Sequence, residues 1–320
     1  MAPKTVTPAL SVIICTHNPR ADYLGQTLAS LRAQTLPLSE WELLVLDNAS
    51  SQPVCDRFAL DWHPAARHSS EPALGKTNAV LRGIRESHGD LIVLVDDDNV
   101  LAPDYLEQAQ KIEREWPRLG TWGGSITACY EEPPPEWLKP YECYLSVREV
   151  LRDEWFNLTR PDLYGNLPYG AGLCVRRIVA QRYLQSLETD EIRRHLDRKG
   201  DSLVSSGDTD LALVGCDLRL GTGLFASLNL THLIPKWRLT EAYMAKMLRE
   251  MMYSVAILAG KRGHKMPSTS WGRRLWESMG AWRRGGAREF RFYRAASLGA
   301  AMAAREIASS NGQFPSSATR

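Results

Sequence analysis

The 320 residues carry a formal charge of only +2, with 44% hydrophobic and 24% charged side chains. That balance excludes a disordered, collagen-like or disulfide-scaffold chain and leaves a globular protein with room for one large domain or two smaller ones. The charge is uneven, with twelve Lys or Arg against three Asp or Glu in positions 261–320 and 27 against 34 before them, so a basic tail on a mildly acidic body points to an anionic partner, either membrane or nucleic acid.

In chain order, Leu10 to Cys15 reads as a strand that ends in Thr16-His17-Asn18-Pro19-Arg20. A helix is predicted over Tyr23 to Ala33, with Leu24, Leu28 and Leu31 on one face. Glu42 to Leu46 is the second strand, closing at Asp47-Asn48-Ala49-Ser50, and Gly75 to Glu86 is helical by spacing. Leu91 to Val95 is an apolar, β-branched run of the kind buried on both faces in a parallel sheet, and Asp104 to Glu115 is a further helix. Strands alternating with helices of this length imply right-handed crossovers and a parallel sheet.

Beyond residue 125 the pattern loosens. Glu131-Glu132-Pro133-Pro134-Pro135-Glu136 excludes helix and central strand. Gly170 to Arg176 reads as a short strand, Asp208 to Val214 as the start of a helix, and Glu241 to Ala259 as a helix stopped by Gly260. The last ten residues, rich in Ser, are expected to fray. The six cysteines show neither CxxC pairs nor metal-ligand spacing, and neither a signal-peptide pattern nor an apolar run of 18 residues is present. A reducing cytoplasmic setting is the expectation.

The densest chemical signal is Asp96-Asp97-Asp98-Asn99, at the C-terminal end of the strand Leu91–Val95. Open α/β sheets bind ligands in the crevice at that edge. Adjacent carboxylates repel unless a cation relieves them, and hard oxygen donors suit Mg²⁺ or Mn²⁺, whose other partners are commonly phosphates. The same residues also suit an acidic turn capping the next helix. Two further acidic sites join them: Asp47 at the end of the second strand, necessarily at the same sheet edge, and Asp208 with Asp210 after Ser205-Ser206-Gly207.

Several separated segments together resemble family-2 glycosyltransferases of the GT-A fold, over about Pro8 to Leu239. They are Ser11-Val12-Ile13-Ile14-Cys15-Thr16-His17-Asn18, Val45-Leu46-Asp47-Asn48-Ala49-Ser50-Ser51, Gly75-Lys76-Thr77-Asn78-Ala79, Val95-Asp96-Asp97-Asp98-Asn99, Gly170-Ala171-Gly172 with Arg176-Arg177, and Ser206-Gly207-Asp208-Thr209-Asp210-Leu211. The resemblance implies a Rossmann-like, mostly parallel sheet flanked by helices, and inverting, metal-dependent transfer from a nucleotide-diphosphate sugar, UDP-linked by preference. By the same resemblance Thr16 and Asp47 would meet the nucleobase, Asp96 the ribose or base, and Asp97 and Lys76 the nucleotide. Asp98 would bind the metal, completed by His232 in Thr231-His232-Leu233-Ile234-Pro235. Asp208 would be the general base, with Asp210 as the alternative, and Gly170 and Ala171 would lie on the acceptor side.

This chain departs from the family pattern in two places. Gly207 stands where relatives have a Glu beside the base, and Val80-Leu81 stand where many carry Arg and Asn, so Arg82 or Arg238 could make the phosphate contacts instead. Trp137 and Tyr141 could stack on an acceptor sugar, with Glu132 and Glu136 bonding its hydroxyls, or Trp137 could lie buried under the Pro-rich loop. Similar Pro-Glu-Trp-Leu segments occur in relatives that build surface polysaccharides. In the tail, Trp271, Arg273, Arg274, Trp276, Trp282, Arg283, Arg284, Arg288, Phe290, Arg291, Phe292 and Arg294 interleave aromatics with cations, which suits an anionic membrane surface through 261–294 or a helical pair packed on the body. No recognition motif supports nucleic acid, and none is expected.

The resulting expectation is a GT-A catalytic domain over 1–239 and a helical basic extension over 240–320. Its partners would be a nucleotide-sugar donor and a glycan or lipid-linked acceptor, at the cytoplasmic face of a membrane. A sugar nucleotidyltransferase would want a Gly-rich loop after the first strand, which Thr16–Arg20 lacks; a non-catalytic relative is favoured only by the missing Glu.

Overall fold

A computed structural model describes residues 8–158, 166–264 and 271–310, with the side chains of 271–275 left aside. The predicted fraying of the last ten residues, and the side chains of Trp271, Arg273 and Arg274, lie outside that description. Four strands, β1 (Leu10–Thr16), β2 (Trp41–Asp47), β3 (Ala66–Ser70) and β4 (Leu91–Val95), run parallel in the order β3-β2-β1-β4. The intervening α1 (Ala21–Arg32) and α2 (Lys76–Glu86) make the crossovers. Side chains alternate between two apolar layers: Leu10, Val12 and Ile14 face α1 and α3 (Tyr105–Glu115), while Ile13, Leu44 and Ile92 face α2 and α4 (Arg177–Leu187). Burial on both faces is why these strands carry unbroken apolar runs.

Past β4 the sheet becomes mixed. β8 (Leu173–Arg176) is antiparallel to β4, and β6 (Leu119–Tyr130), β9 (Gly221–Ile234) and β5 (Asn99–Leu101) continue the sheet, with β7 (Glu154–Phe156) paired to β9. The long β6 and β9 have no counterpart among the predicted elements. Gly120, Gly123 and Gly124 break the apolar alternation of β6, and the chain needs glycine at a register shift: a Cβ on Gly124 would lie 2.0 Å from the Leu228 carbonyl oxygen.

α7 (Glu241–Lys261) runs slightly past Gly260. It buries Met244, Met247 and Leu248 against Leu138, Leu145, Leu203 and Ile234, and Ala256 to Leu258 against Leu196, Ala212 and Leu213. α8 (Trp271–Ser309), kinked at Gly285 and Gly286, crosses α7 so closely that a Cβ on Gly299 would lie 1.9 Å from the Arg249 carbonyl oxygen. α5 (Glu191–Arg194) and α6 (Gly207–Asp217) complete the α-helices. Among the described residues no helix is long and apolar enough to cross a membrane, and all six cysteines are free.

Candidate active site

The parallel register sets the site. Ile14 pairs with Val95 and Thr16 with Asp47, so the polar ends of β1, β2 and β4 emerge along one edge. There they line a cleft of about 480 Å³, within the range of small-ligand sites. Thr16 donates its hydroxyl hydrogen bond to Asp97, and Lys76, at the start of α2, lies 2.5 Å from Asp96 Oδ1. β5 pairs antiparallel with β9 and sets Asn99 opposite His232, which brings the imidazole over the acidic turn.

His232 and Asp98 meet there, with Nε2 3.3 Å from Oδ2. The Nδ1–H of His232 donates to the Leu145 carbonyl at 2.9 Å, which fixes the ring so that Nε2 is the nitrogen turned to Asp98. The Arg238 guanidinium reaches both, 3.2 Å from Nε2 and 3.3 Å from Asp98 Oδ2. Burial pushes Asp98 up, but His232, Arg238 and Lys76 outweigh it and hold the carboxylate well below the usual range. Its neighbour Asp97 moves the opposite way, raised by burial and then by the Asp98 charge. In donor type, a carboxylate oxygen and an imidazole nitrogen fit a divalent ion. Among the described residues no three His, Cys, Asp or Glu groups converge to hold one unaided, so further ligands would have to come from diphosphate oxygens and water.

The same cleft is lined by Asp208, in the first turn of α6. Its Oδ2 accepts from Gly170 N–H at 2.8 Å and its Oδ1 from Thr209 N–H at 2.7 Å. Glycine at 170 permits this approach, since a Cβ there would lie 2.9 Å from Oδ2 and the carboxylate would have to shift. Two residues on, Asp210 points the other way, as i and i+2 must on a helix. It is fully buried and gripped by Arg193 through two bonds of 2.8 and 2.9 Å, with Arg262 at 3.4 Å. Asp208 faces the cleft; Asp210 is held in the packed interior.

Not every predicted residue converges. Asp47 does not line the cleft, because its carboxylate caps its own turn, accepting from Ser50 N–H at 3.0 Å and Val54 N–H at 2.9 Å. The lining residue beside it is Asn48, whose side chain ties the Glu71 and Ala73 carbonyls to Gly75 N–H and so seats α2. Trp137 and Tyr141 sit in a 3₁₀ segment (Glu136–Leu145) packed against α8 instead: both rings contact Phe292, and Tyr141 donates to Glu289 at 2.5 Å. Glu132 lies 3.3 Å from Lys236. Gly170 and Ala171 do line the cleft. Of the two candidate phosphate arginines, Arg82 is bound to Glu86 at 2.7 Å, while Arg238 lines the cleft with an Nε–H that lacks a partner among the described residues. Asp197, Trp237, Tyr243 and Lys246 also line it, unforeseen from sequence. No motif marks Asp197; the glycine at 207 is the one indirect signal.

Comparisons with known proteins show the family and the fold. The family model described as glycosyl transferase family 2 matches residues 11–172. An N-acetylglucosaminyltransferase of Sinorhizobium fredii is 33% identical over 127 residues, 38% of this chain and 30% of that protein. A glucosyl-dolichyl phosphate glucuronosyltransferase of Haloferax volcanii is 26% identical over 140 residues, 43% of this chain and 44% of its own. The chain thus matches less than half the length of these relatives. Among solved structures, the mannosyltransferase PcManGT from Pyrobaculum calidifontis, in complex with GDP-Man and Mn²⁺, superposes with TM-score 0.54 at 18% identity, covering 95% of this chain and 79% of that one. That likeness shows the fold, GT-A.

Proposed function

Because the chain belongs to glycosyl transferase family 2, we propose that it moves a sugar from a nucleoside diphosphate donor to a hydroxyl of a glycan or lipid-linked acceptor, inverting the anomeric carbon. The observation that carries this reading is the pairing of two unlike groups in one cleft. Asp98, His232 and Arg238 gather in one cluster, and the half-buried Asp208, fixed by a backbone N–H, lines the same cleft apart from it.

Thr16 and Asp96 receive the nucleoside, and Lys76 and Arg238 neutralise the diphosphate. Asp98 and His232 would hold a divalent ion, which when bound would supply charge stabilisation to the departing diphosphate; the imidazole donor would favour Mn²⁺ over Mg²⁺. Asp208 takes the proton from the acceptor oxygen as that oxygen attacks the anomeric carbon, while the bond to the diphosphate breaks with its electron pair on the leaving oxygen. A positioned carboxylate contributes on the order of 10²–10⁴ in rate. Residues 1–239 form the proposed catalytic unit. The extension, 240–320, covers one flank and contributes Tyr243 and Lys246 to the cleft.

On α8 the tail divides into two parts. Arg288 and Arg291 pair with Glu241, and Phe292 is buried. Trp276, Met279, Trp282, Arg283 and Arg284 stay exposed before the kink. Exposed tryptophans beside arginines match a headgroup layer, so this half of α8 is proposed to rest on anionic membrane, near a lipid-linked acceptor.

The deciding assay incubates the protein with Mn²⁺ and a panel of UDP- and GDP-sugars, UDP-linked first. Release of nucleoside diphosphate supports transfer. Conversion of a donor to nucleoside triphosphate and sugar 1-phosphate when pyrophosphate is added, or silence across the panel, refutes it in favour of nucleotidyl transfer or of a non-catalytic relative.

A further inference from the structure

Gly207 opens α6 directly beside Asp208, and its missing side chain leaves a space that another residue fills. A Cβ built on Gly207 would lie 2.4 Å from Asp197 Oδ2 and 2.8 Å from its Cγ. Glycine at 207 and the carboxylate of Asp197 are therefore one arrangement: neither a Glu nor an Ala fits at 207 while Asp197 stays where it is. Two backbone bonds hold the Asp197 loop in place, Lys76 N–H to the Arg198 carbonyl at 2.8 Å and Ser206 N–H to the Leu196 carbonyl at 2.7 Å. A bond of 2.8 Å from Arg198 N–H orients the Asp197 carboxylate itself.

We propose that Asp197 is a second functional carboxylate of the acceptor side, delivered from this loop to the place a side chain at 207 would occupy. There it accepts a hydrogen bond from the acceptor hydroxyl next to the one Asp208 deprotonates. The inference deepens the transferase reading and rests on it. Asp197 lines the cleft together with Asp208 and Lys76. A small cavity behind the same residues is lined by Thr77, whose buried hydroxyl lacks a hydrogen-bond partner among the described residues. The groups that face Asp197 are Cys15 from β1, Lys76 from α2, Tyr183 from α4, Arg198 from its own loop and Asp208 from α6. Burial, opposed by Lys76 and reinforced by Asp208, pushes its carboxyl up to about 6.

The proton balance is unchanged by this role: the acceptor proton goes to Asp208, and Asp197 only accepts a hydrogen bond.

The test uses the full chain, Mn²⁺ and whichever of UDP-GlcNAc, UDP-glucose or GDP-mannose it turns over. Asp197→Asn should lower turnover about 30-fold or more and remove an acid limb near pH 6 from the rate profile, with the Kd for Mn²⁺-nucleoside diphosphate within about threefold. Moving the carboxylate, Asp197→Gly with Gly207→Glu, should recover at least about tenfold over Asp197→Gly alone. Turnover of Asp197→Asn near wild type with an unmoved pH profile overturns the proposal. So does a relocated variant that folds, by its Tm, yet is no better than the single one; if it does not fold, the Asn profile decides. A wild-type protein silent on every donor instead overturns the transferase reading beneath it.

Discussion

Asp208 and Asp210 sit two residues apart, and their exchange for Asn should have opposite consequences. Asp210 is fully buried, and its oxygens take two hydrogen bonds from Arg193, at 2.8 and 2.9 Å, and one from Arg262 at 3.4 Å. Asn keeps one oxygen but no charge, so two largely buried guanidiniums lose their compensation. Breaking such a pair from one side costs about 3–5 kcal/mol, a large share of the ~5–15 kcal/mol that holds a domain folded. Asp208→Asn retains an oxygen for Gly170 N–H and should change stability by less than about 1 kcal/mol. Its loss falls on the barrier: a factor of 10²–10⁴ in rate is about 2.7–5.5 kcal/mol. Thermal melts and nucleoside diphosphate release per folded molecule separate the two. Asp210→Asn should melt several degrees lower yet keep near-normal turnover where folded; Asp208→Asn should melt normally and be nearly inert. Inverted results, with Asp210→Asn inert at normal Tm and Asp208→Asn active, would refute the assignment of the base.

Gly170→Ala places a methyl 2.9 Å from Asp208 Oδ2 and should cut turnover about tenfold or more, with nucleotide affinity unchanged by calorimetry. Glu42, buried on β2 beside Ser11 of β1, is raised by burial but drawn down to about 2 by bonds from Ser11, the His88 backbone and Arg67. Since the folded value lies below the unfolded one of about 4.5, its stabilisation is present above that pH and lost as pH falls toward 2. Glu42→Gln should therefore cost about 3 kcal/mol at neutral pH, a deficit that closes in acid when chemical denaturation is followed against pH. His232→Ala should weaken Mn²⁺ affinity about tenfold or more with the nucleoside diphosphate present, read by titration calorimetry. Trp276→Ser with Trp282→Ser should abolish sedimentation with anionic vesicles and leave donor turnover intact; equal recovery of wild type in anionic and neutral supernatants would remove the membrane role.

The first half of the site was legible because a parallel sheet forces its strand ends to one edge. Once Leu10–Cys15, Glu42–Leu46 and Leu91–Val95 read as strands, Thr16 and the Asp96–Asp98 turn had to be neighbours. Sequence order does not report which atoms a carboxylate prefers, and Asp47 turned to the backbone of its own loop. Trp137 and Tyr141 were aromatic and close to the Pro-rich loop, but their partner, Phe292, lies about 150 residues away. The long pair β6 and β9 was hidden by glycines that serve backbone approach, so the cause of His232 meeting Asp98 was hidden with it. Asp197 left its trace only as an absence, the glycine at 207.

Under the proposed metal-dependent reading, Arg238 bears on how two protein ligands could suffice. Its guanidinium lies within 3.3 Å of both Asp98 Oδ2 and His232 Nε2, so the acidic turn already has a counter-charge before any ligand arrives. A divalent ion entering alone would have to displace that cation while gaining only one carboxylate oxygen and one nitrogen. A diphosphate would change the balance: it would offer anionic oxygens to the Arg238 Nε–H, which lacks a partner among the described residues, drawing the guanidinium off Asp98, and would provide the remaining donors an ion needs. On this reading ion and nucleotide bind cooperatively and the coupling must be reciprocal. Mn²⁺ should tighten UDP, UDP should tighten Mn²⁺ by the same factor, and Arg238→Ala should reduce that coupling, because the cation that the diphosphate was to draw away is already gone.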